Sequence, residues 1–204
     1  MRDSKRPAGL PLFLEGFPSG VSIVTALGRR SAPCGLTCSS LARITLSPPT
    51  IMVSIRTGSP TLAAAISRGR LAVNILHEQA RATADLFASG DPGRFGRVDW
   101  RLPEGAAGPH LIDDAHVIAD CMVVQTVEIG ASCAVFAEVT RVTGQRIAEP
   151  LLYGRHRYAR WSDAAGVPPP EPAVAAATMS SGRHVSCAQD AVVPHASGLP
   201  CQPF

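Results

Sequence analysis

The sequence predicts a mainly β protein, a β-barrel with peripheral helices. Several runs of alternating or β-branched apolar residues are joined by short turns, and only two helical segments interrupt them. A doubly wound parallel sheet would need strands and helices to alternate throughout the chain, and they do not. No Gly-x-Gly-x-x-Gly motif follows a predicted strand, so a dinucleotide-binding Rossmann fold has no support.

The first half of the chain predicts the start of a strand meander. A short helix or loop over residues 10–16 precedes an alternating, β-branched strand over 21–26. After a short turn, residues 33–41 return as the second strand of a hairpin. A short extended segment at 44–46 and the Pro48-Pro49 pair then lead into a buried strand over 50–55.

Two helices are predicted between the next strands. Ser59 as N-cap and Pro60 at the first helical position start the first helix, and Gly69 ends it. A strand over residues 71–76 follows, and residues 77–88 return to helical character.

The second half predicts a loop, two long strands and a tail. Residues 91–108, which contain Trp100, predict a long surface loop, because they are rich in Gly, Pro and Arg. Two apolar strands and a final core segment follow, at 117–127, 133–142 and 151–158. The barrel domain is therefore expected over residues 10–160, with a disordered Ala/Pro-rich tail over 162–204.

Composition excludes several classes of function. The 204 residues, 46% hydrophobic, suffice for one packed domain, and scattered arginines with a net charge of +3 give little support to nucleic-acid binding. No segment approaches the roughly 20 apolar residues of a membrane helix, and no signal-peptide core follows the N-terminus. The six cysteines lack a Cys-x-x-Cys pair, which predicts reduced thiols, no metal site and a cytoplasmic protein.

A polar cluster after the second strand is the best candidate for a binding site. Gly35 precedes Thr37, Ser39 and Ser40, whose hydroxyls and nearby backbone N–H groups can hold a phosphate or the edge of a ring. Arg56 ends a strand, and Ser59 and Thr61 lie at the positive end of the next helix. Such turns often satisfy only their own backbone, so a phosphate site is one of two readings that the residues allow.

These segments, taken together, resemble the flavin reductase family. The resemblance covers residues 13–160 and rests on Phe17-Pro18-Ser19-Gly20-Val21, Gly35-Leu36-Thr37-Cys38-Ser39-Ser40, Pro48-Pro49, Ser59-Pro60-Thr61, Ala72-Val73-Asn74-Ile75-Leu76, Pro150-Leu151-Leu152-Tyr153 and Arg157-Tyr158. It implies a homodimeric, Greek-key FMN-binding split barrel with a flavin in a groove near the dimer interface. NADH or NADPH would reduce this flavin, FMN or FAD, which is often passed to a partner monooxygenase.

The resemblance implies cofactor-binding roles for twelve residues and assigns no catalytic side chain. The isoalloxazine and ribityl chain would face Thr37, Cys38, Ser39 and Ser40. The flavin would be flanked by Ser54, Ile55 and Arg56, and its phosphate would be held by Ser59 and Thr61. A segment near the nicotinamide would contribute Tyr153, Arg155 and Tyr158, although for the two tyrosines ordinary core packing is an equal alternative.

One departure from the family bears on the pyridine nucleotide. Many members have Gly-Asp-His before the penultimate strand, where this chain has Gly130-Ala131-Ser132. The missing histidine removes a group that could donate a hydrogen bond to the nicotinamide. The family glutamate is kept at Glu138, and Leu41 replaces the usual phenylalanine.

Three functions follow as hypotheses. The first is an NAD(P)H:flavin oxidoreductase, favoured because hydride transfer depends chiefly on proximity. The second is a flavin-binding carrier or assembly subunit that does not oxidise NAD(P)H, motivated by the missing histidine. The third uses the flavin on another small molecule, with Trp100 and the loop over 91–108 lining its pocket.

Overall fold

The computed structural model describes residues 7–144 and 148–165, which form twelve strands, four α-helices and two short 3-10 turns. The helices are α1 Leu10–Glu15, α2 Pro60–Arg68, α3 Arg81–Ala88 and α4 Trp161–Ala165. The strands are β1 Ser19–Gly20, β2 Ser22–Leu27, β3 Pro33–Cys38, β4 Ala42–Leu46, β5 Pro49–Arg56, β6 Arg70–Leu76, β7 Trp100–Arg101, β8 His110–Leu111, β9 Ala115–Ile129, β10 Ser132–Gly144, β11 Leu151–Gly154 and β12 Arg157–Arg160. Of the predicted tail, residues 162–165 lie in α4 and the rest lies outside the described residues.

The prediction of a mainly β fold with peripheral helices is confirmed. Seven strands form an antiparallel sheet in the order β3-β2-β6-β9-β10-β5-β4. The sheet curls, because one core cluster joins Val24 and Cys38 near one edge to Val53 and Ile55 near the other. Five strands separate these edges along the hydrogen-bonded order, so a flat sheet could not bring them together.

A smaller sheet of β1, β11 and β12 lies beside the second hydrophobic cluster. That cluster includes Val21, Leu76, Phe87 and Leu151, and Tyr153 and Tyr158 pack against it. The turn between β11 and β12 places Arg155 and His156 in the left-handed region, with φ of 50° and 59°. These are strained positions for residues with a Cβ, and the tight hairpin imposes them.

Helix α2 forms as its sequence predicts, whereas α3 begins later than expected. The Ser59 side chain accepts a hydrogen bond from the Thr61 backbone N–H, and Gly69 ends α2 with a φ of 66°. The predicted helix over 77–88 is wrong for its first four residues. His77 pairs with Pro150 and accepts a hydrogen bond from Gln79 N–H, so the chain turns before α3 starts.

The connection over residues 91–108 is largely exposed, as its composition predicts, but part of it packs against the core. Phe95 packs edge-on against Phe87 and Trp100, with ring centroids 5.1 and 5.8 Å away. The Trp100 indole N–H donates to the Phe95 carbonyl at 3.1 Å. The connection contains β7, and Trp100 is a packed residue of the second hydrophobic cluster.

Hydrogen bonds from the fully buried Asn74 hold the end of this connection against the sheet. The Asn74 side-chain amide, in β6, donates to the Ile23 and Pro109 carbonyls at 3.1 and 3.3 Å, and its oxygen accepts from Leu111 N–H at 2.9 Å. The Thr25 hydroxyl adds a bond to Pro109 at 2.7 Å. Every polar atom of Asn74 thus has a partner, as a buried amide requires.

A buried carboxylate provides the second anchor. One oxygen of Asp120 accepts from Ala107 N–H at 2.6 Å and from His110 Nε2 at 3.0 Å, and the other binds the Arg141 guanidinium at 2.7 and 2.8 Å. Burial alone would raise the pKa of Asp120, but hydrogen bonds from His110, Ala107 and Arg141 outweigh it and hold that pKa below its usual value. Asp120 is therefore ionised, and its hydrogen bonds link β9 to β10 and to the connection over residues 91–108.

Replacing Gly108 with alanine is expected to lower the free energy of unfolding by about 1–3 kcal/mol. A Cβ at this position would lie 2.7 Å from the Thr25 carbonyl oxygen, which is backbone and cannot rotate away. Chemical denaturation of both proteins measures the difference. The matched control is Gly96→Ala, where a Cβ would meet no atom within 4 Å; equal losses in both variants would contradict the steric argument.

Candidate functional site

Three adjoining cavities form one groove along β3. The first, about 440 Å³, lies between β3, the end of β5, the start of α2 and the end of α3. It shares Thr37 and Ala88 with a second of about 200 Å³, which in turn shares Ser39 and Tyr153 with a third of about 190 Å³. We call these three cavities together the β3 groove.

Ten of the twelve residues predicted to bind cofactor line this groove. Six line the first cavity, namely Thr37, Ser54, Ile55, Arg56, Ser59 and Thr61. The other four line the second and third cavities, namely Ser39, Tyr153, Arg155 and Tyr158. Residues from five separate segments thus meet in one place, while their ligand contacts stay predictions.

Cys38 and Ser40 line none of the three cavities of the β3 groove, and their predicted contacts with a ligand stay predictions. Cys38 is buried in the core, because alternate residues of β3 point to opposite faces. The Ser40 hydroxyl accepts from Ser54 N–H at 2.9 Å and donates to the Ser54 carbonyl at 3.1 Å. These two hydrogen bonds of Ser40 connect β5 to the segment that follows β3.

Positive charge collects at one end of the groove. Arg56 ends β5, and Ser59 and Thr61 form the first turn of α2, where the helix dipole favours an anion. Within residues 7–144 and 148–165, Arg56 has no carboxylate at ion-pair distance. An exposed guanidinium beside a capped helix start has the donor chemistry that a phosphate requires.

The sequence interpretation missed Arg94, a second cation at this end. Arg94 lines the first cavity, and its guanidinium carbon lies 5.9 Å from the centre of the Phe87 ring. The anchored connection over residues 91–108 brings it there. No local pattern distinguishes Arg94 from the neighbouring arginines, since its position depends on the packing of Phe95 against Phe87 and on a hydrogen bond from Arg94 to the Phe87 carbonyl.

The wall in the middle of the groove is closely packed. A Cβ on Gly35 would lie 2.9 and 3.0 Å from the rings of Phe87 and Phe95, so only glycine lets α3 and these rings approach β3 closely. The Thr37 hydroxyl donates to the Ala84 carbonyl at 2.6 Å, and its oxygen keeps acceptor capacity. Leu36 and Ile55 border this part from the core side, and Ala88 contributes exposed apolar surface to it.

Two tyrosines border the second cavity. Their rings are tilted by 58° with centroids 5.2 Å apart, and the Arg81 guanidinium lies 5.8 Å from the Tyr158 ring. Burial, with the nearby Asp85 carboxylate, raises the pKa of Tyr158. Tyr158 therefore stays protonated at neutral pH and keeps a hydroxyl donor at the edge of the groove.

The turn that lacks the family histidine adjoins the cationic end. Ser132 lies opposite Arg56 in the β10–β5 register, and the Ala131 carbonyl accepts from the Thr57 N–H and hydroxyl at 3.0 and 3.1 Å. Ser132, at the position of the family histidine, is thus a neighbour of Arg56 in the β3 groove. Ser132 offers a short hydroxyl there in place of an imidazole.

Comparison with known proteins gives a consistent result. The family model described as "Flavin reductase like domain" matches residues 14–162. The chain is 38% identical over 146 residues to "Flavin reductase (NADPH)" of Lentzea aerocolonigenes, covering 72% of this chain and 85% of that protein. It is 29% identical over 152 residues to the reductase subunit HsaB of a flavin-dependent monooxygenase from Rhodococcus jostii RHA1, covering 74% and 76%.

A solved structure shows the same fold. The NADH:FAD oxidoreductase SgcE6 of Streptomyces globisporus C-1027 superposes with a TM-score of 0.70 at 28% identity, covering 79% of this chain and 96% of that one. The helices of the described ranges are at most nine residues long, too short to cross a bilayer.

Proposed function

Because the chain belongs to the family of flavin reductase like domains, we propose that it is an NAD(P)H:flavin oxidoreductase that binds FMN or FAD in the β3 groove. The observation that supports this most is the convergence of ten predicted residues from five segments on that groove. A cationic end, a middle lined by Thr37 and Ala88 and a tyrosine-lined end follow one another along it. That order suits a flavin phosphate at the cationic end, the flavin ring beyond it and the nicotinamide beside the tyrosines.

The residues of the groove fit a phosphorylated ring compound. Arg56, Arg94 and the first turn of α2 would bind the phosphate, and the part of the groove lined by Thr37 and Ala88 would hold the ring. A flavin bound there would supply the redox chemistry, as the acceptor of a hydride. The residues of the groove would bind the flavin and orient it toward the nicotinamide.

The nicotinamide is proposed to enter beside Tyr153 and Tyr158. Their cavity adjoins the flavin end through Thr37, so both rings can stack within one groove. Hydride transfer needs close approach of the two rings and no acid or base residue. Ser132 in place of histidine is therefore compatible with the reaction.

Two alternatives remain distinguishable from this proposal. A flavin carrier without NAD(P)H oxidation is favoured by the Ala131-Ser132 substitution beside Arg56. A flavin enzyme acting on another small molecule loses its proposed pocket wall, because Trp100 packs against Phe95 and lines none of the three cavities of the β3 groove.

Steady-state oxidation of NADH and NADPH tests the proposal. We expect purified protein with FMN or FAD in air to oxidise one of the two donors well above the protein-free rate. Omission of flavin is the control, because oxidation must depend on it. Flavin binding without donor oxidation would support the carrier instead.

The reduced flavin is proposed to pass to a partner monooxygenase. The similarity to the HsaB reductase subunit supports this role. The third cavity opens beside exposed Phe17 and Leu14, so the groove is accessible at that end for exchange.

A homodimer is proposed from the exposed apolar residues of the sheet. Met122, Val124 and Ile129 on β9, Val142 on β10, and Ile44 and Leu46 on β4 are 48–70% exposed, and these strands belong to the run β9-β10-β5-β4 of the sheet. Apolar surface of this extent on one stretch of sheet is typical of an interface between subunits.

Val124→Asp is expected to convert the dimer into a monomer, because it would bury an unpaired carboxylate in the interface. Sedimentation velocity measures the change. Ala82→Asp on exposed α3 is the control and should remain dimeric. A monomeric wild type, or a dimeric Val124→Asp variant, would contradict the proposed interface.

A cytoplasmic location is also proposed. The cysteine spacing supports it, and Cys34, Cys38, Cys121 and Cys133 are free thiols. Burial raises the pKa of Cys121 to about 12, which keeps that thiol unreactive.

A further inference from the structure

A larger cavity of about 710 Å³ lies outside the β3 groove. One wall is the β2–β3 hairpin, including Leu27, Arg29 and Cys34, and the other is one face of α2. That face runs from Pro60 through Ala63 and Ser67 to Arg68, about 12 Å at the helical rise per residue. We call it the α2 cavity.

The α2 cavity has the chemistry of a nucleotide site. Its helix wall carries small side chains, Ala63, Ala64 and Ser67, which let a flat ring approach the helix. Two arginines line it, and its ten lining residues include no carboxylate. Guanidinium groups pair with phosphate and also stack on aromatic rings, so both parts of a nucleotide have partners.

The two walls are fastened together at the far end. The Arg68 side chain crosses from α2 to the hairpin and donates to the Gly28 carbonyl at 3.1 Å. The Arg29 side chain is exposed and has no carboxylate at ion-pair distance among the described residues. Arg68 therefore holds the shape of the cavity, and Arg29 is free to meet a ligand.

The α2 cavity and the β3 groove meet at the start of α2. Pro60 lines both cavities. The meeting point lies beside Ser59, Thr61 and Arg56, where the proposed flavin phosphate is held. A ligand that continues beyond this phosphate passes over Pro60 directly into the α2 cavity.

From this continuity we propose that the α2 cavity binds the adenosine monophosphate half of FAD, so that the protein prefers FAD to FMN. This inference rests on the proposed function, because it takes the flavin phosphate to lie at the start of α2. The purine lies against Ala63 and Ser67, and Arg29 contacts the purine or the second phosphate.

Equilibrium binding of oxidised FAD and FMN, followed by flavin fluorescence, tests the inference without any catalytic turnover. Wild-type protein is expected to bind FAD at least tenfold more tightly than FMN. Ala63→Trp fills the exposed helix wall and is expected to raise the FAD Kd at least tenfold while leaving the FMN Kd within about twofold. Arg29→Ala is also expected to raise the FAD Kd.

Matched control variants distinguish an effect of the α2 cavity from a general effect of substitution on flavin binding. Ala82→Trp on α3 and Arg101→Ala are exposed changes outside every cavity described here and should leave both affinities unchanged. Adenosine monophosphate should compete with FAD and leave FMN binding unaffected.

Equal affinity of the wild type for both flavins, or unchanged FAD binding in Ala63→Trp, overturns this inference while the proposed function stands. Failure of the wild type to bind either flavin contradicts both. The two failures are thus distinguishable by FMN binding alone.

Discussion

Replacing Asp120 with alanine is expected to lower the free energy of unfolding by about 2–6 kcal/mol, because it removes the acceptor of two buried donors, each of which costs about 1–3 kcal/mol when left unsatisfied. The change would leave the Ala107 N–H and the His110 Nε2–H without their acceptor, and His110 is 1% exposed. It would also release the segment before β8 from β9 and β10. Since small domains are stable by only about 5–15 kcal/mol, this is a large fraction of the total.

Denaturant unfolding followed by tryptophan fluorescence measures the effect. Asp163→Ala is the matched control, because Asp163 pairs with Arg160 on the exposed surface and its loss should change little. Similar midpoints for the two variants would show that the Asp120 network does not stabilise the fold.

The hydrogen bonds of Asp120 also predict how the free energy of unfolding changes as the pH falls. The pKa of Asp120 lies below its ordinary value of 3.8 in the folded state, so its contribution is present above the unfolded pKa and is lost as pH falls through the folded one. The stability difference between the wild type and Asp120→Asn should therefore shrink as pH falls below about 4. A difference that grows on acidification would contradict this sign.

Replacing Arg56 with alanine is expected to raise the Kd for FMN by about 10- to 100-fold. A hydrogen bond to a charged group contributes about 1.5–3 kcal/mol, and exposed Arg56 at the groove's cationic end is proposed to make such bonds with the phosphate. Fluorescence titration measures the Kd.

Riboflavin, which lacks the phosphate, separates this role from a general effect on the groove. Arg56→Ala should leave riboflavin affinity unchanged, and Arg101→Ala should leave both ligands unchanged. An equal loss for FMN and riboflavin would place Arg56 at the ring rather than at the phosphate.

Local signals explain which elements could be predicted from the sequence. The β2–β3 hairpin and β5 follow from alternation and turn residues, and α2 follows from Ser59, Pro60 and Gly69. The site residues at the ends of these elements could be named for the same reason.

Long-range contacts explain what could not be predicted. The composition of residues 91–108 indicates a loop, but the anchors that order it, Asn74 and Asp120, lie in other strands. Arg94 was missed because tertiary packing of Phe95 against Phe87 positions it. The burial of Cys38, by contrast, could have been predicted from the sequence. Side chains alternate between the two faces of a strand, so Cys38 points to the opposite face from Thr37 and Ser39.

Anaerobic single-turnover reduction of bound flavin tests most directly whether hydride transfer occurs in the β3 groove. The informative variant is Ala88→Trp, because exposed Ala88 lines both the first and second cavities and a large ring there would fill the space between flavin and nicotinamide. Ala82→Trp on the same helix is the matched control. We expect rapid bleaching by NADH or NADPH in the wild type and in Ala82→Trp, and bleaching at the protein-free rate in Ala88→Trp. Bleaching as fast in folded Ala88→Trp as in the wild type would contradict the assignment of this groove as the site of reduction.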